Sequence, residues 1–177
     1  MAPPVDVVGP EFFDRSVDLV AVDLIGRELR VVDAAGKIQD ALIVETEGYG
    51  NALDPASHAA FRPGGRAAIM FGPPGSIYVY AAYGMYPCFN IVTGPVGKAS
   101  AVLLRGVWRR GDEGPTLGPG RTTRTLAITL ADHGDAIPGA RFGVSTVRED
   151  LDIERSRRVG ITRGTDTEWR FLACSVK

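Results

Sequence analysis

Two glutamates and a tyrosine occupy alternate positions in the segment Val44-Glu-Thr-Glu-Gly-Tyr49. If this segment is extended, Glu45, Glu47 and Tyr49 point to one face, with successive side chains roughly 7 Å apart. A carboxylate beside an aromatic ring at a strand end is suited to act as a general base next to a surface on which a flat molecule stacks. The same pattern also fits a solvated strand edge with two ordinary glutamates, and the segment alone leaves both interpretations open.

The tyrosines are concentrated in one part of the chain. All five lie between residues 49 and 86: Tyr49, Tyr78, Tyr80, Tyr83 and Tyr86. Strand alternation places Tyr78 and Tyr80 on one face, and Tyr83 falls near the tip of a predicted hairpin. Flat rings around a cavity, together with a ring on a projecting hairpin, are typical of proteins that stack on nucleic acid bases. The alternative is a tyrosine-rich sheet face without this function, and His58 by itself is more typical of a structural or surface histidine.

The elements that must position these residues are mostly strands and turns. A helix capped by Ser16 is predicted over residues 17–25, with Gly26 as its end. Alternation and β-branched or aromatic runs predict strands at 27–33, 38–46, 77–82, 88–92, 101–107, 126–130, 141–147 and 169–175. We expect a protruding hairpin around residues 83–87, a loop over 109–120, and a short charged helix or loop over 150–159.

Length and composition narrow the class of protein. With 177 residues, of which 45% are hydrophobic and 23% charged, the chain is predicted to be one globular domain. Cys88 and Cys174 are too few for a disulfide framework, and with only His58 and His133 they make a poor zinc set, so we expect reduced thiols and no metal. The first residues lack the pattern of a signal peptide, and no apolar run approaches the ~20 residues of a membrane span.

Charge and short motifs do not identify a nucleic-acid or nucleotide site. The net charge of −1 argues against nucleic acid at first, yet all but three of the 20 basic residues are arginines. Arginine is suited to bidentate phosphate contacts, although a high arginine content also follows from genome composition. The segment 94–98 lacks the Ser or Thr of a phosphate-binding loop, and 118–123 lacks the third glycine of a dinucleotide-binding fingerprint.

An ordered set of motifs resembles the alkyladenine (3-methyladenine) DNA glycosylase family over most of the chain. The similar segments are 11–14, 43–49, 54–58, 70–75, 78–90, 101–105 and 158–160. The most distinctive, Tyr78-Val-Tyr-Ala-Ala-Tyr-Gly-Met-Tyr-Pro-Cys-Phe-Asn90, is similar to the family's base-intercalating hairpin, whereas segments 59–69 and 107–118 are shorter than in the family. The resemblance implies a single α+β domain over residues 1–177, with a curved antiparallel β-sheet, flanking helices and a protruding DNA-intercalating hairpin.

The resemblance also implies catalytic roles. Glu47 matches the general base that activates water against C1′ of a flipped nucleotide. Arg105 and the backbone carbonyl of Val159 match groups that hold this water. Glu45 and Tyr78 receive no chemical role from the match.

Other positions match residues that bind the base or the DNA. Tyr49 matches the ring stacked on one face of the extruded base, and His58 and Tyr80 match the groups on its other face. Asn90 matches the asparagine that crowds the exocyclic amine of normal guanine. Tyr83 matches the side chain inserted into the gap that the base leaves in the duplex.

The function that the resemblance implies is a monofunctional, cofactor-free DNA glycosylase of base excision repair. It would hydrolyse the N-glycosidic bond of alkylated or deaminated purines in double-stranded DNA, acting as a monomer with no membrane partner. We expect it in the cytoplasm with the nucleoid if the source is bacterial, and in the nucleus if it is eukaryotic.

Two other functions remain open from the residues. A non-catalytic module that binds damaged nucleic acid would keep the stacking rings but has no need of Glu47 with Arg105. An O-glycoside hydrolase needs two catalytic carboxyls across a pocket, whereas Glu45 and Glu47 are neighbours on one strand.

Overall fold

A computed structural model describes residues 6–175 of the protein, so residues 1–5, on which the signal-peptide expectation depends, and residues 176–177 lie outside it. The strands are β1 (Arg27–Val32), β2 (Ile38–Tyr49), β3 (Ile77–Ala82), β4 (Tyr86–Val92), β5 (Ala101–Trp108), β6 (Thr116–Leu117), β7 (Phe142–Arg148), β8 (Ile153–Ser156) and β9 (Arg170–Ala173). They form one nine-stranded sheet in the order β3-β4-β5-β2-β1-β7. β6 pairs with β5, β9 pairs with β2 and β8, and every pairing is antiparallel.

Short helices accompany the sheet and confirm the α+β class. They are α1 (Val17–Leu24), α2 (His58–Phe61) and α3 (Pro119–Thr125), with 3-10 turns at Pro10–Phe12, Gly65–Phe71 and Leu130–Asp132. α1 buries Val17, Val20, Ala21 and Leu24, the helical spacing that the sequence shows. Ser16 occupies the N-cap position as expected, but its side chain forms no capping hydrogen bond. None of the helices within residues 6–175 is long and apolar enough to cross a membrane.

The long strand β2 is the centre of the sheet. It extends three residues beyond the predicted 38–46, and residues 41–48 are all buried. One edge pairs with β1 and then with β9, and the other pairs with β5. The Thr46 hydroxyl donates to the Ala21 carbonyl at 2.8 Å and so ties β2 to α1. Because residues 41–48 are buried, any charged side chain among them requires specific partners.

The predicted strand at 126–130 is wrong. The helix α3 starts at Pro119, inside the predicted loop 109–120, and Leu126 caps its C-terminal end. Leu126 and Ile128 are buried, as an alternating strand would require, but the chain turns at Ala127, whose φ is 53°. Thr129 and Asp132 then form a capping box at the start of the 3-10 turn Leu130–Asp132. The alternation of apolar residues, on which the strand prediction is based, does not reveal this cap.

Two further segments differ from the sequence-based expectation. The predicted loop 109–120 also contains β6, which pairs with Gly106 and Val107 of β5. The charged segment 150–159, expected to be a short helix or a loop, contains a strand, because residues 153–156 form β8 against β9. β8 pairs with β9 alone, and an outer strand accommodates charged side chains because one face and one edge meet solvent.

Candidate functional site

A cavity of about 430 Å³ opens beside β2, β3, β4 and β5, and residues 159–161 contribute to its wall. All the residues that the sequence analysis assigned to a site line this cavity: Glu47, Tyr49, His58, Tyr80, Tyr83, Asn90, Arg105 and Val159. Strand alternation on β2 and β3 accounts for part of this convergence, and the antiparallel pairing β3-β4-β5-β2 accounts for the rest. Across the described residues 6–175, no group of three or more His, Cys, Asp or Glu side chains is arranged to hold a metal ion.

Glu47 lies near the end of β2, and its side chain is fully buried at the cavity wall. Its Oε2 accepts a hydrogen bond from the Tyr49 hydroxyl at 2.8 Å, and its Oε1 accepts one from the Val159 amide N–H at 2.7 Å. Arg105 Nε lies 3.7 Å from the same Oε1. The carboxylate is therefore fixed by two hydrogen-bond donors and stands close to a cation.

Burial has the largest effect on the protonation of Glu47 and raises its pKa, because the charged form loses its solvation. The Val159 N–H, Arg105 and the Tyr49 hydroxyl each act in the opposite direction, and Glu45 adds to the rise. The pKa of Glu47 remains above its ordinary value, so the carboxylate has a stronger tendency to take a proton than an exposed glutamate. This is the property that a general base requires.

The Tyr49 ring is supported by Arg158, which sequence reasoning placed in a similar segment without a role. The Arg158 guanidinium lies 4.9 Å from the centre of the Tyr49 ring. It also forms hydrogen-bonded ion pairs with both carboxylate oxygens of Asp54, at 2.6 and 2.9 Å, and donates to the Gly48 carbonyl. Burial alone would raise the pKa of Asp54, but Arg158 and backbone N–H donors hold it below its usual value. This pair anchors Val159 beside β2.

A group of packed rings in the cavity wall consists of His58, Tyr78 and Tyr80. The rings of His58 and Tyr80 are 4.6 Å apart between centres, and those of Tyr78 and Tyr80 are 5.3 Å apart. The Nδ1 atom of His58 and the Tyr78 hydroxyl are hydrogen-bonded at 2.7 Å. Burial raises the pKa of Tyr78 to about 12, and burial together with the nearby Arg62 lowers the pKa of His58. At neutral pH this wall therefore presents uncharged rings.

Asn90 lies on β4 directly opposite Tyr78 of β3 and is buried. Its amide nitrogen donates to the backbone carbonyls of Tyr78 and Cys88, at 3.1 and 3.2 Å. These bonds hold the side chain in one orientation at the cavity wall. The amide nitrogen is thereby committed to the sheet, and the side chain lines the cavity in a fixed position.

Tyr83 lies at the tip of the predicted hairpin, where β3 and β4 are joined by residues 83–85. The Tyr83 side chain is 90% exposed, and its φ of 52° is in the left-handed region that non-glycine residues rarely adopt. Met85, 67% exposed, donates its N–H to the Ala82 carbonyl to close the turn. The chain thus presents a large aromatic ring to solvent at the mouth of the cavity, as the hairpin prediction required.

Two contacts in the site were not part of the expectation. The Val159 amide N–H bonds to Glu47, while the expected role of its carbonyl in holding water stays a prediction. Arg105 donates its Nε to Glu45 at 2.9 Å and stands farther from Glu47. Glu45 also accepts from Arg170 Nε at 2.7 Å. No sequence signal pointed to Arg170, because it is far from Glu45 along the chain.

Comparisons with known proteins identify the family of this chain. The family model of "Methylpurine-DNA glycosylase (MPG)" matches residues 11–176. The chain belongs to this family. The match to methylpurine-DNA glycosylases includes every residue that lines the cavity.

Similar proteins carry the corresponding name. A protein of Rhodopseudomonas palustris (strain ATCC BAA-98 / CGA009), named "Putative 3-methyladenine DNA glycosylase", is 42% identical over 173 residues, covering 90% of this chain and 81% of that protein. A Rickettsia felis protein of the same name is 42% identical over 168 residues, covering 94% of this chain and 92% of its own. Another, from Rhodopseudomonas palustris (strain HaA2), is 38% identical over 187 residues, covering 96% and 90%.

Proposed function

We propose that this protein is a monofunctional DNA glycosylase that excises alkylated or deaminated purines from duplex DNA. The damaged nucleotide rotates out of the helix into the cavity, and a water activated by Glu47 attacks C1′ of the sugar. The C1′–N bond breaks, the base leaves with the bonding electrons, and the water oxygen remains on the sugar as the hydroxyl of an abasic site. The observation that carries the proposal is the buried carboxylate of Glu47 at the wall of a cavity lined by aromatic rings.

The walls of the cavity suit a flat, cationic base. The rings of Tyr49, His58 and Tyr80 line the cavity, and both tyrosines have pKa values raised by burial, so they remain neutral. Stacking on aromatic side chains returns about 1–3 kcal/mol per base, which offsets the few kcal/mol needed to extrude a nucleotide. Purines methylated at N3 or N7 are positively charged, and a cation is attracted to the faces of neutral rings. A neutral His58 adds no repulsion.

The charge around the cavity favours DNA despite the net charge of −1. The stretches 55–111 and 114–131, which contain the hairpin and three of the cavity strands, have no Asp or Glu. Arg121 and Arg124 are exposed on α3. This helix packs against the hairpin, because a Cβ on Gly120 would lie 3.0 Å from Tyr86 at the start of β4. Exposed arginines beside the hairpin are suited to contact phosphates.

The cavity discriminates against the two alternative functions. Glu47 is the only carboxylate among the described residues that line it, whereas a hydrolase of O-glycosides needs a carboxyl on each side of the scissile bond. A module that only binds nucleic acid gains nothing from a buried Glu47, because burying a charged carboxylate costs stability. A general base requires this arrangement.

The decisive experiment is release of free base from methylated duplex DNA by the wild type and by Glu47→Gln. The substitution keeps the shape and removes the basicity, so we expect a loss of about 10²–10⁴-fold in the rate of release. Binding to the same DNA should stay within a few-fold of the wild type. The measurement is chromatography of released purines under single-turnover conditions, together with binding by fluorescence anisotropy.

Glu154→Gln provides the control, because Glu154 is exposed on β8 outside the cavity. Its rate should match that of the wild type. Absence of base release by the wild type would refute the proposed function. Near wild-type release by Glu47→Gln would refute the role of Glu47.

A further inference from the structure

Glu45 is a second buried carboxylate on β2 that the proposed reaction does not use. Only 1% of its surface is exposed, and it does not line the cavity. Its Oε1 accepts hydrogen bonds from Arg105 Nε at 2.9 Å and from Arg170 Nε at 2.7 Å. Burying a carboxylate and two guanidinium groups costs desolvation free energy, which only well-aligned hydrogen bonds and ion pairs offset. Such an arrangement is therefore a candidate for a functional role.

The backbone is shaped to bring Arg105 to Glu45. In the pairing of β2 with β5, Glu45 is opposite Gly106 and Thr46 is opposite Leu104, so Arg105 is an extra residue in a β-bulge. Bulges redirect a side chain out of the regular alternation. Gly106 is required there, because a Cβ would lie 2.7 Å from the Cβ of Glu45 and 2.8 Å from Leu117.

Arg105 stands between two carboxylates and is bonded to only one of them. Its Nε is 2.9 Å from Glu45 Oε1 and 3.7 Å from Glu47 Oε1. If Glu45 were absent, the nearest partner for this guanidinium would be Glu47. A direct charge-assisted hydrogen bond would then weaken Glu47 as a base, since it favours the ionised form.

We propose that Glu45 is a positioning residue for the reaction: with Arg170 as its counter-charge, it holds Arg105 at the cavity wall and keeps it from bonding directly to Glu47. The inference rests on the proposed function of Glu47 as general base. Arg105 remains available to the attacking water or the substrate, and the two glutamates and two arginines form a buried group of zero net charge.

Several groups besides Glu45 face Glu47 and affect its protonation. Arg105 and the Val159 N–H favour the charged carboxylate, as does the Tyr49 hydroxyl. The remaining groups are Tyr80 of β3 and Cys88 of β4, both uncharged at neutral pH because burial raises their pKa values, and Arg170 of β9, which acts through Glu45. Changes at Glu45 and Arg170 alter the charge near Glu47 without removing any atom that touches it.

The test is the pH dependence of the single-turnover rate on methylated duplex DNA, with uncatalysed base loss subtracted at each pH. Glu45→Gln should slow release on the order of 10²-fold, as misplacement of a group by about 1 Å does. In the pH–rate profile of this variant, the acid limb, where the rate falls at low pH, should move to lower pH. The reason is that removal of a negative neighbour lowers the pKa of Glu47. Asp40→Asn is the matched control: it removes another β2 carboxylate that pairs with an arginine, Arg30, and it lies outside the cavity.

Arg170→Gln supplies a prediction of opposite sign and a second variant should Glu45→Gln fail to fold. Loss of the Arg170 charge leaves the group more negative, so the acid limb should move to higher pH. In an Arg105→Gln background, Glu45→Gln should add little further loss, because its effect passes through Arg105.

Three outcomes would each overturn the proposal. The first is a pH–rate profile whose acid limb is unshifted in the variants, and the second is a Glu45→Gln rate within a few-fold of the wild type. The third is a double variant, Glu45→Gln with Arg105→Gln, whose loss of rate equals the product of the two single losses. These outcomes require base release by the wild type. If the wild type releases no base, it is the proposed function that fails.

Discussion

Glu47 shows how a single residue connects stability with chemistry. Its folded-state pKa is raised, so the folded protein binds a proton more readily than the unfolded chain as the pH falls through the raised value. The stabilisation from that proton is absent at neutral pH, where the buried carboxylate is charged. We therefore expect Glu47→Gln to have a Tm at least equal to that of the wild type, with about 2–4 °C for each kcal/mol recovered.

Under the proposed mechanism, the same residue sets the pH dependence of base release. A general base works in its deprotonated form, so base release should fall as the pH drops through the pKa of Glu47. Because burial raises this pKa, the acid limb should lie above the value of about 4.3 for an ordinary glutamate. The measurement is the single-turnover rate between pH 4 and pH 8, and an acid limb at or below the ordinary value would contradict the raised pKa.

Asn90→Ser tests specificity. Hypoxanthine differs from guanine only in lacking the 2-amino group. Under the proposed function Asn90 excludes that group by steric crowding, because two hydrogen bonds to the sheet hold its side chain in place. The shorter serine should relax discrimination by about 1–3 kcal/mol, the scale of a pocket misfit of one methylene. We expect the variant to release undamaged guanine, most readily from mispairs where extrusion costs least, while hypoxanthine release persists.

The measurement is the rate of release of each base from matched duplexes, for the wild type and for Asn90→Ser. Thr129→Ser serves as a control, because Thr129 is exposed outside the cavity. If the guanine-to-hypoxanthine ratio does not rise, Asn90 does not control base selection in this protein.

At the scale of elements, the hairpin formed by β3 and β4 connects the cavity to the proposed DNA interface. Its strands carry Tyr80 and Asn90 in the cavity wall, and its turn projects Tyr83. The left-handed backbone of Tyr83 costs about 1–2 kcal/mol relative to an ordinary conformation. Such local strain at an exposed aromatic tip is typical of a functional position.

Tyr83→Ala should weaken binding to duplexes that contain an abasic or flipped nucleotide, because no ring then fills the gap in the stack. The expected loss is roughly 1–3 kcal/mol, or about fivefold to 150-fold in Kd. Val96→Ala, at another exposed apolar side chain outside the cavity, should leave Kd unchanged. An unchanged affinity for Tyr83→Ala would exclude intercalation by this residue.

For the whole molecule, the distribution of charge matters more than its sum. Arg30 of β1 pairs with Asp40 of β2, and Arg148 of β7 pairs with Asp23 of α1. Within the part of the chain that the structure describes, Arg62, Arg121 and Arg124 form no such pair, and Arg62 lines the cavity. These three cations therefore lie beside the cavity and the hairpin, on the side of the proposed DNA interface.

Binding to DNA should consequently weaken steeply with salt in spite of the negative net charge. Each phosphate contact adds about 0.9 to the slope of log K against log salt, so the double substitution Arg121→Gln with Arg124→Gln should reduce the slope by up to about 1.8. Arg30→Gln is the control, because that arginine is bonded to Asp40. Titrations of labelled duplex at several salt concentrations provide the measurement, and an unaltered slope would remove α3 from the interface.

The sequence by itself determined the elements whose patterns are local. The predicted strand 77–82 coincides with β3, and the helix predicted after Ser16 differs from α1 by one residue at its end. Period-2 alternation also placed Glu47 with Tyr49 and Tyr78 with Tyr80, as their contacts show. Local periodicity sets which face a side chain occupies, so these features are readable without the fold. The assignment to a family followed from motifs in the same segments.

Tertiary structure decided the features that join distant parts of the chain. Val159 donates to Glu47 across 112 residues, and Arg158 pairs with Asp54 across 104. The bulge at Arg105 and the pairing of Glu45 with Arg170 depend on the register of three strands, which no local pattern encodes. The segment 126–130 was misjudged because the buried positions Leu126 and Ile128 suit a turn as well as a strand. Side-chain periodicity specifies which face of a strand a residue occupies. The protonation and orientation of Glu47 depend on which distant segments of the chain pack against that face.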